Sequence, residues 1–242
     1  MTLRVHSLRV ELATKCVLTE LCFDARPNRM LAVIGPPRAG KTVLLKTLAG
    51  LIQRASGEVV LDGMPIESRP THEWHSVVGM AFQNDALFDA LSVFDNVAFP
   101  LRRRRVPEPE VQRRSAAILS RVGLENDWSK MPSQISGGMR KRCGIARAAV
   151  TKPRIALFDD PTAGLDPATA EQILDLVVSE SRRHHGGCVV GSNALSVALA
   201  RADSGLMLHD GRTAFLGSPD EIGRASDPVV HQFVRGDLEG PL

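Results

Sequence analysis

The segment from Gly35 to Thr42 combines residue types and a spacing that bind phosphate. It fits the pattern G-x-x-x-x-G-K-[ST]. Its backbone N–H groups are expected to hold phosphate oxygens, with Lys41 reaching the β- and γ-phosphates and Thr42 binding Mg²⁺. The residues predicted to contact the nucleotide here are Gly35, Pro36, Pro37, Arg38, Ala39, Gly40, Lys41, Thr42 and Val43. The segment therefore predicts a site for a nucleotide and its metal ion.

A second group suited to this chemistry follows the apolar run from Ile155 to Asp159. That run predicts a buried strand that ends in a carboxylate, which is where a P-loop fold places a second contact to Mg²⁺, through water. A helix cap at the strand end is the simpler alternative. It does not account for Asp159, Asp160, Pro161 and Thr162 as one block.

Hydrophobic periodicity indicates the elements that position these groups. Alternation with period two predicts half-buried strands over 8–12 and 17–23, whereas the continuous apolar run 30–34 predicts a fully buried strand. Further strands are predicted over 57–63 and 77–82, and helices over 43–49, 93–101, 108–122, 137–150 and after Asp166-Pro167. We therefore predict one domain over 1–242, with a core of 1–84 and 151–228, a helical insert of 85–150 and a tail of 229–242.

These motifs, in this order, resemble the ATP-binding subunits of ABC transporters over nearly the whole chain. Ser136, Gly137 and Gly138 resemble the signature loop, which in that family binds the γ-phosphate of ATP held by the opposite subunit. Gln83 resembles the Q-loop glutamine, which the family uses at Mg²⁺ and at the attacking water, and 163–166 resembles the D-loop. The resemblance implies ATP and Mg²⁺ as cofactors, with metal contacts at Thr42, Gln83 and Asp159. It also implies the fold class α/β, a P-loop NTPase with a RecA-like core, an antiparallel β subdomain and an inserted helical subdomain.

A narrower resemblance concerns 82–88 and 92–101, together with the ending Gln232 to Gly236 and Glu239-Gly240-Pro241. These segments are similar to the ATPases of Mla-type systems, which serve MCE-linked phospholipid transporters. The resemblance implies an integral-membrane permease, a second ATP-binding subunit (identical or different) and an MCE-domain protein as partners. It also implies a location on the cytoplasmic face of the inner membrane, where the permease holds the subunit.

Several positions depart from the family pattern on one functional surface. Asp160 stands where a glutamate polarises the attacking water, and Ser192 is assigned to the position of the switch histidine. Val43 replaces a second hydroxyl residue, while Pro37 lacks an N–H donor and Arg38 adds bulk in the phosphate loop. We therefore predict a catalytic set of Asp160, Gln83 and Ser192 that hydrolyses ATP slowly. The alternative is a regulatory pseudo-ATPase, paired with a competent subunit in a heterodimer.

The chain also departs from the family pattern at the residue that contacts the adenine base of ATP. Leu12 is aligned with the aromatic residue that stacks on adenine in the family.

Composition and charge limit the classes of protein to which the chain can belong. The net charge of +3 over 242 residues is too small to indicate a nucleic-acid partner, and the chain shows neither tandem domains nor a charged linker as ribosome-associated relatives do. The four cysteines lack metal-site spacing, so we expect reduced thiols. No apolar run approaches the ~20 residues that cross a bilayer. The basic run Arg102–Arg105 is either a solvated face or a contact for anionic lipid headgroups, and Lys141 and Arg147 either position the signature loop or remain solvated.

Overall fold

Two sheets and nine α-helices make up the computed structural model, which describes residues 2–237. The strands are β1 Leu3–Leu12, β2 Lys15–Ala25, β3 Met30–Ile34, β4 Ser56–Leu61, β5 Met64–Pro65, β6 Val78–Ala81, β7 Ile155–Asp159, β8 Gly187–Gly191, β9 Ser204–His209 and β10 Arg212–Gly217. The helices are α1 Lys41–Leu48, α2 Thr71–Val77, α3 Val93–Arg103, α4 Glu108–Arg121, α5 Gly137–Ala149, α6 Pro167–Arg183, α7 Leu195–Leu199, α8 Pro219–Ile222 and α9 Pro228–Arg235.

The larger sheet has the strand order β10-β9-β3-β8-β7-β6 and is parallel except for the β9–β10 pair. All residues of β3, β7 and β8 are buried, as expected for parallel strands covered on both faces. In the register, Gly191 at the end of β8 lies opposite both Val33 and Asp159. The carboxyl ends of these three strands therefore meet at one edge, and the segments that follow them share one site.

The smaller sheet is antiparallel, with the order β2-β1-β4-β5. Its inward side chains, such as Val5, Leu18 and Leu21, join a core cluster with Leu44 and Leu45 of α1. This packing brings β2 against the phosphate loop, and a Cβ added at Gly40 would lie 2.5 Å from Leu18 Cδ2. The antiparallel sheet thus forms one wall beside the start of α1.

Helices α3, α4 and α5 form the helical insert around a core of their own. The buried amide of Asn96 donates to the carbonyls of Phe88, Leu91 and Ser92 and accepts from the Phe88 N–H. One side chain therefore satisfies several backbone groups of the loop before α3, which fixes the entry of the chain into the insert. Ser92 caps α3 by accepting from the Asp95 N–H at 3.0 Å.

Two helices in the structure, α2 and α9, were not among those predicted from the sequence. The segment before β6 forms helix α2, which has Trp74 as its only buried residue and therefore shows no apolar periodicity in the sequence. The predicted tail begins inside α9, which Asp227 caps and which packs Val230 onto the larger sheet's core. The predicted Glu239-Gly240-Pro241 segment lies outside the described residues.

Cys16, Cys22, Cys143 and Cys188 are all free, and burial raises the pKa of both Cys143 and Cys188 to about 12. Across residues 2–237, the structure has no helix whose length and apolar character would let it cross a bilayer.

Candidate active site

A cavity of about 300 Å³ opens at the carboxyl edge of β3, β7 and β8. It brings together residues from the phosphate loop, from the segment after β6, and from the ends of β7 and β8. Its lining consists of Val17, Pro37, Arg38, Gly40, Lys41, Thr42, Val43, Gln83, Asp159, Asp160, Gly191 and Asn193. Most of the predicted site residues therefore converge on one space.

Lys41 is held at the centre of the phosphate loop. Its Nζ donates to the carbonyls of Gly35 at 2.7 Å and Pro36 at 2.9 Å, and the residue is only 8% exposed. Burial lowers the pKa of Lys41, while the carboxylates of Asp160 and Asp159 act in the opposite direction. A partly desolvated ammonium at a helix N-terminus is suited to bind an anionic phosphate.

The loop needs glycine at two positions because of close backbone approach. Gly35 has φ of +140°, and a Cβ there would lie 2.1 Å from the Leu208 carbonyl oxygen. Gly40 has φ of +106° and caps α1 in the left-handed region. Arg38 also adopts a left-handed φ of +69°, although it carries a side chain. The strained Arg38 backbone therefore occupies a conformation that glycine would adopt without cost.

Thr42 and Asp159 form an oxygen pair suited to a hard cation. The Thr42 hydroxyl donates to Asp159 Oδ1 at 3.0 Å, although the two residues lie 117 positions apart in the chain. Burial raises the pKa of Asp159, against the lowering effect of the Thr42 hydrogen bond. Hydroxyl and carboxylate oxygens beside a phosphate cradle fit Mg²⁺, which takes its remaining ligands from water and phosphate. In the described part of the chain, no cluster of three or more His, Cys, Asp or Glu residues offers a metal site made of protein groups alone.

Asp160 lies next to Asp159 and is 6% exposed, with its N–H donating to the Gly191 carbonyl at 2.8 Å. Asn193 Nδ2 donates to Asp160 Oδ2 at 2.5 Å. Ser192, the residue predicted at the position of the switch histidine, does not make this contact. Ser192 is fully buried, its Oγ accepts from the Ala194 N–H at 3.0 Å, and it lies outside the lining of the cavity as the described residues define it.

The different surroundings of Ser192 and Asn193 have a local cause. Ser192 and Asn193 are adjacent polar residues after a buried strand, and consecutive side chains leave such a strand on opposite sides. Because both residues are small and polar, the sequence alone did not show which of them would contact Asp160. The Asn193 amide donates to the Asp160 carboxylate, whereas the Ser192 hydroxyl accepts a hydrogen bond from the Ala194 N–H within its own turn.

Leu12, which was aligned with the adenine-stacking residue of the family, is not among the described residues that line this cavity. Val17 on β2 lines the cavity, while Leu12 at the end of β1 is 41% exposed and does not belong to the lining found within residues 2–237. Val17 was seen in the sequence only as part of a strand. Its position depends on how β2 packs against the phosphate loop.

The loop that carries Gln83 is fixed by two cations from α5. Lys141 donates to the Gln83 carbonyl and forms an ion pair with Asp85 at 3.0 Å. Arg147 donates to the carbonyls of Asp85 and Ala86, each at 2.7 Å. Lys141 and Arg147 are each 9% exposed, so the structure rejects the solvated alternative for both. They connect the helix that begins at the signature-like segment to the loop at the cavity.

Replacing Lys141 by methionine is expected to lower the free energy of unfolding by about 3 kcal/mol, because Asp85 then loses the partner of a largely buried ion pair. Urea denaturation measures the change. The double variant Lys141→Met with Asp85→Asn should recover part of the loss, since no charge is left unpaired. Arg142→Met, at a neighbouring and more exposed position, serves as the control. An equal loss in the single and double variants would contradict the ion-pair explanation.

Ser136, Gly137 and Gly138 lie at the start of α5, where Ser136 Oγ accepts from the Met139 N–H at 3.3 Å. These three residues are not part of the cavity lining that the described chain provides. The chain therefore presents its phosphate loop and its signature-like segment at separate places.

The basic run Arg102–Arg105 divides into different roles. Arg102 pairs with Asp95 and Glu108, each at 2.7 Å. Arg104 donates to the His75 carbonyl at 3.0 Å, and burial together with nearby Arg114 lowers its pKa. Two of the four arginines thus hold the insert together or join it to the core, so the run is not a uniformly solvated face.

The chain also matches a family model and known proteins. The ABC transporter family model matches residues 18–163. The chain is 32% identical to the intermembrane phospholipid transport system ATP-binding protein MlaF of Haemophilus influenzae, covering 99% of this chain and 92% of that protein. It is 31% identical to the probable ribonucleotide transport ATP-binding protein mkl of Mycobacterium tuberculosis, covering 100% of this chain and 68% of that protein.

A solved structure shares the whole fold. The structure of cbiO1 from Clostridium perfringens, part of the ABC transporter complex cbiONQ, superposes with a TM-score of 0.84 at 25% identity. The match covers 98% of this chain and 95% of that one. The phosphate loop, the paired carboxylates and the family match together show that this chain belongs to the ABC transporter family as an ATP-binding subunit.

Proposed function

We propose that this subunit binds ATP with Mg²⁺, hydrolyses it slowly and thereby drives a permease that moves phospholipid between membranes. The observation that carries the proposal is the convergence of Lys41, Thr42 and Asp159 in one cavity, with Asp160 beside them. In this proposal Lys41 and the loop N–H groups hold the phosphates, while Thr42, Asp159 and Gln83 serve the metal ion. Asp160 accepts the proton of the attacking water.

Two similarities support phospholipid as the cargo. Relatives named for intermembrane phospholipid transport match nearly the whole chain, and the segments around Gln83 and α3 resemble Mla-type ATPases. The mkl relatives, which are named for ribonucleotide transport, make a nucleotide cargo the competing case. The proposed partners are a permease, a second ATP-binding subunit and an MCE-domain protein, on the cytoplasmic face of the inner membrane.

The separation of the phosphate loop from Ser136–Gly138 favours a composite site. A second subunit would place its own signature segment over this chain's cavity, and the reverse contact would form at the other site. Asp160, Pro37 and Arg38 depart from the family pattern on the side of the site that holds the phosphate loop. In contrast, Ser136–Gly138 keep the family pattern. These facts favour a second candidate function, in which this chain is the slower, regulatory member of a heterodimer.

A groove between the core and the helical insert is the proposed permease contact. It has a volume of about 610 Å³, and aromatic side chains of Phe82, Phe88 and Phe99 line it beside Arg103 and Arg104. Phe88 is 43% exposed and packs on Phe99 with ring centroids 4.6 Å apart. An exposed aromatic patch with a basic rim fits an apolar segment that also carries acidic residues.

The complex purified from native membranes through a tag on this chain tests the proposed function. Intact-complex mass spectrometry identifies its subunits and any bound lipid. A permease with co-purifying phospholipid supports the proposal, and a second ATPase with glutamate at the Asp160 position selects the heterodimer. Two copies of this chain on the permease select the homodimer. A complex that lacks any integral-membrane subunit would contradict the transport role.

Phe88→Ser is expected to reduce permease recovery in this purification by about tenfold, because it removes a large aromatic contact from the proposed interface. The matched control is Leu216→Ser, which changes a similarly exposed apolar residue on β10, outside the groove. ATP affinity should stay unchanged in both variants. Equal permease recovery with the two variants would show that the groove is not the contact.

A further inference from the structure

The hydrogen bond between Asn193 and Asp160 joins the ends of two neighbouring strands. Asp160 follows β7 and Asn193 follows β8 by two residues, and the 2.5 Å contact runs between Nδ2 and Oδ2. The backbone of Asp160 is fixed as well, with φ of +45° and its N–H on the Gly191 carbonyl. The backbone of Asp160 is therefore held by Gly191 at the end of β8, and its side chain is held by Asn193 just after β8.

The chemistry of an amide suits this place. Asn193 carries two N–H donors, and donation to Asp160 uses one of them. An amide does not titrate near neutral pH, so it donates to the carboxylate over the whole range in which a histidine would gain and lose a proton.

We infer that Asn193 is a positioning residue that orients the short carboxylate of Asp160 toward the attacking water. This inference rests on the proposed ATP hydrolysis at the same cavity. In that reaction the water oxygen forms a bond to the γ-phosphorus as the bond from phosphorus to the bridging oxygen of ADP breaks. Asp160 takes the proton of the water, and the Asn193 amide fixes which carboxylate oxygen faces it.

The test compares ATP turnover by the purified complex for wild type, Asn193→Ala, Asp160→Asn and the double variant. We expect Asn193→Ala to lower kcat about tenfold at nearly constant KM, the effect of one hydrogen bond to a charged group. The double variant should be no slower than Asp160→Asn alone, because the amide acts through the carboxylate. Ser196→Ala, on an exposed position of α7, is the control.

A second readout separates orientation from general structure. Asn193→His is expected to add a limb near pH 6.5 to the pH profile of kcat, which the wild type lacks, because an imidazole titrates there. The inference is overturned if Asn193→Ala lowers kcat by the same factor with and without Asp160, if Asn193→Ala changes only KM, or if turnover does not depend on Asp160. Absence of MgATP binding by the wild type, measured by calorimetry, would instead refute the proposed function itself.

Discussion

Lys41→Ala is expected to weaken MgATP binding by at least about 100-fold, since a charged donor typically contributes 1.5–3 kcal/mol per hydrogen bond and Lys41 is expected to reach two phosphates. The side chain is already placed for this role, because the Gly35 and Pro36 carbonyls hold Nζ inside the loop. Burial has lowered its pKa, so part of the desolvation cost is met when the protein folds. Little reorganisation then remains when phosphate binds.

Isothermal titration calorimetry with MgATP measures this effect. Lys130→Ala removes an exposed lysine that pairs with Asp127, and it should bind MgATP as the wild type does. A thermal melt without nucleotide must show that Lys41→Ala is folded. If the folded variant kept wild-type affinity, the cavity would not be the nucleotide site.

Asp160→Glu combined with Asn193→His is expected to raise kcat by about 100-fold, because the added methylene moves the carboxylate by roughly 1.5 Å and a displacement on the ~1 Å scale can change a rate by that factor. The histidine supplies a group that can carry positive charge toward the γ-phosphate, which asparagine cannot. Each single change should give a smaller gain. The single gains are smaller because Asp160→Glu alone lengthens the carboxylate without adding a cation, and Asn193→His alone adds a cation beside a carboxylate that is still short.

Steady-state turnover of the purified complex checks this gain, with ATP affinity measured in parallel. Ser192→His is the informative control, because the sequence alone assigned the histidine position to Ser192. That residue is fully buried, so a histidine there is expected to destabilise the fold rather than accelerate hydrolysis. If the double variant folds and binds ATP but shows no gain in kcat, then Asp160 and Asn193 do not limit hydrolysis. That result would favour the regulatory pseudo-ATPase.

The sequence by itself determined the parts of this protein that depend on local pattern. The loop from Gly35 to Lys41 was predictable because phosphate binding needs glycine and lysine at fixed spacing next to a strand and a helix. The buried strands β3 and β7 were predictable from continuous apolar runs, and the observed bounds match the predicted ones. Helices α3, α4 and α5 were predictable from their apolar periodicity.

Only the tertiary structure decided which neighbouring side chains meet. It placed Asn193 rather than Ser192 beside Asp160, and Val17 rather than Leu12 at the cavity wall. It also brought Lys141 from α5 to the Gln83 carbonyl, 58 positions earlier in the chain. The physical reason is common to all three. Residue type sets what a side chain can bind, but its direction and its distant partner depend on strand register and on packing between elements, which no local pattern encodes.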